Sequence, residues 1–125
     1  MSNILLSKSA TATAAIAAYT LVKPGAADGT VVAATAGAVL VIGATQDVAP
    51  AAGERVDIAL IGITYVTAGA ALARGARLMS DASGRAITAA AAAGSNVFTA
   101  GTALESALAA GDVIRVLLER GTYQG

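Results

Sequence analysis

Chemistry in this chain would have to use carboxylates, amines, guanidinium groups and hydroxyls, because its 125 residues include no histidine and no cysteine. Histidine is the usual general base near neutral pH, and both residues are the usual ligands of zinc, copper, haem and iron–sulfur clusters. Glu54 and Asp57 are three residues apart, which on a strand places their carboxylates on opposite faces. No Gly-x-Ser-x-Gly elbow and no P-loop occur. The sequence therefore predicts a protein that is not an enzyme, with no catalytic residues, no metal and no cofactor.

Charge and aromatic content argue against two classes of partner. The chain carries eight basic and eight acidic residues, so its net charge is zero, and an electrostatic hold on nucleic acid or on an anionic membrane is not expected. Three tyrosines and one phenylalanine are too few for a base-stacking platform. Residues 29–46 and 86–104 are uncharged, but glycines interrupt both and no Lys/Arg cluster flanks either. We expect no nucleic-acid partner and no membrane partner.

The first 18 residues differ in composition from the rest. The segment 7–18 is a tract of Ala, Thr and Ser in which Ile16 is the one large apolar residue, and the apolar triplet Ile4-Leu5-Leu6 precedes it. Such a segment has little to bury, so we expect an extended N-terminal arm that is either mobile or ordered by a partner. The predicted organisation is an arm over residues 1–18 and a β-rich domain over 19–125.

Short runs typical of strands follow the arm. The continuous apolar run 39–42 predicts a strand buried on both faces, and residues 56–60 alternate between apolar and other positions. Gly62 interrupts the next run, which predicts a bulge or a bend. In 113–119 the wholly apolar set is expected to face the core, and its members are Ile114, Val116 and Leu118. About eight strands with frequent turns predict an all-β fold, either a small β-sandwich or a β-barrel.

Two further segments have local signals. Residues 77–88 predict a hairpin, in which Asp81 begins the turn and Gly84 supplies a positive φ. Thr102 and Glu105 fit a capping box, so propensity predicts one short helix near 102–110. Tertiary context often overrides propensity in alanine-rich segments, and a strand remains the alternative there.

Three arginines are candidate subunit-interface residues: Arg115, Arg77 and Arg85. Arg115 lies in the middle of a predicted strand, on the face opposite the apolar set. Two interpretations stay open. The arginines solvate exposed faces and pair with nearby acids, or they form salt bridges across a subunit boundary.

The order of four motifs resembles a known family. Gly53-Glu-Arg-Val-Asp-Ile-Ala-Leu-Ile-Gly62 is followed by Arg77-Leu-Met-Ser-Asp-Ala-Ser-Gly-Arg-Ala86, Gly101-Thr-Ala-Leu-Glu-Ser-Ala107 and Gly111-Asp-Val-Ile-Arg-Val-Leu-Leu118. In this order they resemble the capsid cement, or head decoration, proteins of tailed bacteriophages, and the likeness covers the chain from about residue 18 to residue 120. The motifs consist mostly of Gly, Ala and Val.

The resemblance implies a structural virion protein that binds the outside of the phage head as a homotrimer. It would sit at three-fold and quasi-three-fold positions, contact the major capsid protein and stabilise the capsid, after assembly in the host cytoplasm. The arm would reach the capsid through four anchor residues: Ile4, Leu5, Leu6 and Ile16. It also implies a strand, not a helix, at 101–107. The alternatives are another virion component, such as a tail tube or fibre subunit, and a surface adhesin or carbohydrate-binding β-domain.

Overall fold

The computed structural model describes residues 3–124, which form nine strands and no helix. The all-β prediction is confirmed. The strands are β1 (Asn3–Ala12), β2 (Leu21–Pro24), β3 (Thr30–Ala33), β4 (Gly43–Thr45), β5 (Arg55–Thr67), β6 (Arg77–Ser80), β7 (Ala86–Thr88), β8 (Asn96–Ala103) and β9 (Val113–Gln124). Within this part of the chain, no helix has the length and apolar character needed to span a membrane.

All nine strands belong to one mixed sheet with the order β1-β3-β2-β4-β5-β9-β8-β6-β7. β1 also pairs with β5, so β1, β3, β2, β4 and β5 close a ring of strands. β1 and β3 run parallel, and the other strand pairs are antiparallel. β9, β8, β6 and β7 continue the sheet outward from β5.

The apolar interior is divided into two cores. The first core draws on seven of the strands and includes Leu21, Ala44, Ala59, Val66, Leu78, Ala100, Val116 and Leu118. The second core belongs to the ring of strands and consists of Ala10, Ala12, Ile16, Val22, Val31, Val56 and Ile58. Alanine, valine, isoleucine and leucine fill the first core, and the second core contains the first three of these.

β5 is the strand that serves both cores. Val56 and Ile58 pack in the second core, whereas Ala59 and Val66 pack in the first. The positions that face the first core change from odd at Ala59 to even at Val66, and Gly62, whose φ is +121°, lies between them. The irregularity predicted at this glycine is therefore present, and it lets one strand turn its apolar face from one core to the other.

Two local predictions are confirmed. In β9, Ile114, Val116 and Leu118 are buried in the first core while Arg115 is exposed. β6 and β7 form the predicted hairpin, and the Asp81 carboxylate oxygen Oδ1 accepts hydrogen bonds from backbone N–H groups inside the turn, Ser83 at 2.8 Å and Arg85 at 2.9 Å. Gly84 has the expected positive φ of 76°.

The predicted strand at 39–42 is wrong. This apolar run is irregular: Val41 is buried in the first core, Leu40 is exposed, and the strand begins only at Gly43. A Cβ at Gly43 would collide with the carbonyl oxygen of Ala59, so pairing with β5 starts where a glycine allows the backbones to approach. The Ile42 N–H donates a hydrogen bond to the carbonyl of Val22 on β2, so the run reaches the sheet at its last residue.

The predicted helix near 102–110 is also wrong. Thr102 lies in β8, paired with Arg77 on one side and Leu117 on the other, and β8 ends at Ala103. The strand implied by the family resemblance is present as far as that residue. Glu105 does not cap a helix, because its carboxylate accepts a hydrogen bond from the backbone N–H of Arg115 on β9. Sheet pairing has overridden local propensity here.

Most of the predicted arm is described by the structure. Residues 3–12 form β1, which pairs with β5 along most of its length, while residues 1 and 2 lie outside the described residues. β1 supplies Ala10 and Ala12 to the second core. The division into an arm that ends at residue 18 and a separate domain stays a prediction.

Gly62→Ala should destabilise the protein far more than Gly53→Ala. Both glycines have positive φ, but a Cβ at Gly53 would meet nothing within 4 Å, whereas at Gly62 it would lie 2.5 Å from the Asn3 carbonyl oxygen and 2.7 Å from the Leu5 nitrogen. We expect a loss of about 1 kcal/mol for Gly53→Ala and about 3 kcal/mol for Gly62→Ala in urea-induced unfolding. Equal losses would show that β1 does not approach β5 as closely as described.

Candidate functional site

A bulge in β1 produces the most prominent feature of the N-terminal segment. Ile4 pairs with Gly62 and Leu6 pairs with Ile61, so Leu5 has no partner residue on β5. Leu5 is consequently 75% exposed, although it lies within a paired strand. Ile4 on one side of the bulge packs against the first core. The bulge therefore presents a large apolar side chain to the outside from a position that the fold holds in place.

The four predicted anchors lie in different surroundings. Leu5 and Leu6 are exposed, Ile4 is partly buried against the first core, and Ile16 is 3% exposed inside the second core. The structure thus brings Leu5 and Leu6 to the surface together, while Ile16 contributes to packing within the chain. A capsid contact by any of the four stays a prediction.

Next to the bulge lies an apolar depression with two cations at its margin, which we call the basic groove. It has a volume of about 240 Å³ and is lined by Leu6, Lys8, Ile42, Leu60, Ile61 and Arg120. Ile42 and Leu60 pack against the second core beneath it. Within residues 3–124, neither Lys8 nor Arg120 has a carboxylate oxygen within 4.0 Å. The groove combines accessible apolar surface with unneutralised positive charge.

A second depression, which we call the acidic groove, lies where the segment after β4 meets the start of β5. It has a volume of about 330 Å³ and is lined by Gln46, Asp47, Val48, Arg55, Val56 and Asp57. Val48 is 59% exposed, and the carboxylates of Asp47 and Asp57 form no ion pair among the described residues. The Nη2 atom of Arg55 donates a hydrogen bond to the Ser9 hydroxyl at 2.9 Å.

Two of the three arginines proposed for a subunit interface have acidic partners within the chain. The Nε atom of Arg115 lies 3.4 Å from Glu105 Oε1, and that of Arg85 lies 3.1 Å from Asp81 Oδ2. These contacts agree with the first of the two interpretations left open by the sequence. Participation in a subunit interface stays a prediction.

The third arginine has a weaker contact. Arg77 Nη2 lies 3.5 Å from the hydroxyl of Thr99, and its side chain is exposed. No carboxylate among residues 3–124 pairs with Arg77. Its charge is therefore free to meet an acid from outside the chain.

The pKa of the Glu105 carboxylate is shifted by its contacts with Arg115. A hydrogen bond from the backbone N–H of Arg115, 2.8 Å from Oε1, lowers the pKa of Glu105, and the nearby Arg115 guanidinium lowers it further. The bond ties the segment after β8 to β9. Because 43% of the Glu105 side chain is exposed, solvent screens this interaction, and its effect belongs to the surface and not to the core.

Tyr19 is a feature that no sequence pattern indicated. It is the one non-glycine residue of the described chain with positive φ, at 54°, and its ring meets that of Tyr65 edge to face at 6.3 Å. Its N–H donates to the Gln46 carbonyl, and its own carbonyl accepts from the N–H of Thr67. These two bonds hold the backbone in the strained conformation.

The structure also assembles residues that the sequence analysis did not single out. Lys8 and Arg120 come from opposite ends of the chain, and Asp47 and Asp57 flank a turn. No sequence motif relates the two members of either pair, so the sequence analysis predicted neither groove. Within residues 3–124, no group of three or more acidic side chains is placed to hold a metal ion.

A family comparison decides the class of the protein. The model for phage cement proteins matches residues 5–118. The chain belongs to the phage cement protein family. This confirms the resemblance that the four motifs indicated, and it makes the chain a structural protein of the phage virion.

The fold of the cement protein is similar to that of a solved structure. The crystal structure of the N base of head fiber gp8.5 in bacteriophage phi29 matches with a TM-score of 0.70 and 18% sequence identity, covering 96% of this chain and 98% of that one. At this identity the match shows a shared fold. No curated protein sequence matches the chain.

Glu105→Gln should reduce stability at neutral pH and have progressively less effect in acid. The folded protein lowers the pKa of Glu105 from its ordinary value of 4.5, so the charged carboxylate stabilises the fold above that pH. The contribution is lost as pH falls through the lower folded pKa. Urea midpoints of the wild type and the variant, measured at constant ionic strength, should therefore converge in acid.

Asp28→Asn is the matched control, because the exposed Asp28 side chain has no hydrogen-bond or ion-pair partner within residues 3–124. It removes the same charge without removing a contact. A gap between wild type and Glu105→Gln that stays constant from neutral pH to pH 2 would contradict the assignment.

Proposed function

We propose that this cement protein binds the outer surface of a phage capsid as a homotrimer, with the major capsid protein as its partner, and stabilises the head. The observation that carries the proposal is the bulge that holds Leu5 outside the β1–β5 ladder with 75% of its side chain exposed. A large apolar side chain in such a position is a typical interface anchor.

Stabilisation would follow from binding alone. A protein that binds the assembled lattice and not the separated subunits shifts the equilibrium toward the lattice by mass action. A trimer presents three copies of the Leu5 bulge, so modest individual contacts add up to high avidity. Three-fold symmetry would also match the trimer to points where three capsid subunits meet.

The composition of the cores supports a role for oligomerisation in stability. Nearly half of the buried apolar side chains are alanines, whose methyl groups remove little surface from water. Several large apolar side chains remain exposed, among them Leu5, Val48 and Leu108. A domain of this kind gains much of its stability by covering such surface against other copies.

Leu5→Ser should weaken attachment to undecorated heads by about ten- to hundredfold for each engaged arm. Loss of a buried leucine contact costs about 1.5–3 kcal/mol. Leu108→Ser is the matched control, because Leu108 is 89% exposed but lies in the turns between β8 and β9, outside the bulge. Co-sedimentation of purified protein with heads measures both variants.

A point substitution is preferable to deletion of the arm, because β1 supplies Ala10 and Ala12 to the second core. If Leu5→Ser binds heads with wild-type affinity, the bulge is not part of the capsid contact. Loss of attachment by Leu108→Ser alone would assign the contact to the turns between β8 and β9.

The melting temperature should rise with protein concentration. If subunit contacts supply much of the stability, dilution toward the dissociation range lowers the temperature at which the fold is lost. Differential scanning fluorimetry over a hundredfold concentration range, beside analytical ultracentrifugation, measures the effect. If the melting temperature does not depend on concentration and ultracentrifugation shows a monomer, then subunit contacts do not stabilise the fold, and the trimer is contradicted as well.

A further inference from the structure

The two grooves have complementary properties. The basic groove offers an apolar floor between two cations, Lys8 and Arg120, and no acidic residue lines it. The acidic groove offers the exposed side chain of Val48 between the carboxylates of Asp47 and Asp57. Both surfaces are shallow depressions: the lining of one carries two cations, and the lining of the other carries two carboxylates beside the exposed Val48 side chain.

The charges of both grooves lack partners in the single chain. Asp81 and Glu105 pair with arginines, whereas Asp47 and Asp57 form no ion pair within residues 3–124. Arg55 also lines the acidic groove, but it is directed to the Ser9 hydroxyl on β1, and one net negative charge remains. Uncompensated charge beside exposed apolar surface favours an occupant of opposite charge.

We propose that the acidic groove of one copy packs into the basic groove of the next, so that three copies close a ring. The exposed Val48 side chain of one copy packs against the apolar side chains of Leu6, Leu60 and Ile61 of its neighbour. The carboxylates beside Val48 meet Lys8 and Arg120. This inference rests on the homotrimer of the proposed function and assigns the surfaces that build it.

The arrangement accounts for cyclic symmetry. A contact between two different surfaces of identical chains is head-to-tail, and it generates a closed ring when the rotation between neighbours closes. A contact of one surface with itself would give a two-fold dimer instead. The two grooves lie on different parts of the ring of strands, one beside the β1 bulge and the other after β4. The arrangement also leaves Leu5 outside both grooves and available for the capsid.

Charge reversal tests the pairing directly. Lys8→Glu with Arg120→Glu, and separately Asp47→Lys with Asp57→Lys, should each weaken trimer formation at least tenfold, because like charges would then face each other. The four substitutions combined restore complementarity and should restore the trimer. Lys23→Glu with Arg74→Glu is the control, because it makes the same change of net charge at side chains that line neither groove. Analytical ultracentrifugation measures mass, and circular dichroism monitors folding.

An equimolar mixture of the two double variants gives a second readout. Every contact between unlike variants is complementary, and every contact between like variants is repulsive. A ring of three must contain at least one like contact, so the mixture should form complexes with equal numbers of the two variants and no trimers. Trimers as abundant as in the wild type would overturn the proposed pairing.

Failure of this inference can be distinguished from failure of the proposed function. If the double variants remain trimeric, the grooves do not form the subunit interface. If they remain trimeric but lose attachment to heads, the occupant is the capsid, and the inference is likewise overturned. If the double variants are folded monomers and the variant with all four substitutions is also monomeric, the two grooves do not contact each other. A wild-type trimer that fails to bind heads would overturn the proposed function while leaving the ring contact intact.

Discussion

The structure depends on one strand that has to serve two cores. β5 packs Val56 and Ile58 in the core of the ring of strands, and it packs Ala59 and Val66 in the larger core. In a regular strand Ala59 and Val66 would lie on opposite faces, because side chains alternate and these two residues are seven apart. Gly62 relieves the constraint with a positive φ and with room for β1 to approach. The bulge that exposes Leu5 lies opposite this glycine.

The same constraint shapes the outer surface. The bulge lets Ile4 pack toward the larger core while Leu6 lines the basic groove. Arg120 reaches that groove because β9 pairs with β5 only up to Leu118 and then continues alongside β8. The apolar surface of the molecule is therefore a consequence of how its cores are divided. In a virion protein of the cement family, such surface is available for contacts with other subunits.

The charges follow a related division. Asp81 and Glu105 are engaged in turns and between strands, where they fix the local chain. Asp47, Asp57, Lys8 and Arg120 fix nothing within the described chain and lie at the grooves. The charged residues thus fall into two groups: some stabilise the fold through contacts within the chain, and others have no such contact and lie at the grooves.

Local sequence determined the features whose causes are local: the Asp81–Gly84 turn, the buried face of β9 and the irregularity at Gly62 follow from neighbouring residues. The order of its motifs also determined the family. Only the tertiary structure decided the rest. The apolar run 39–42 and the capping box at Thr102 failed as predictors, because pairing with distant strands outweighed their local preferences. The Tyr19–Tyr65 contact and the basic groove bring together residues far apart in the chain, and no spacing along a sequence encodes such proximity.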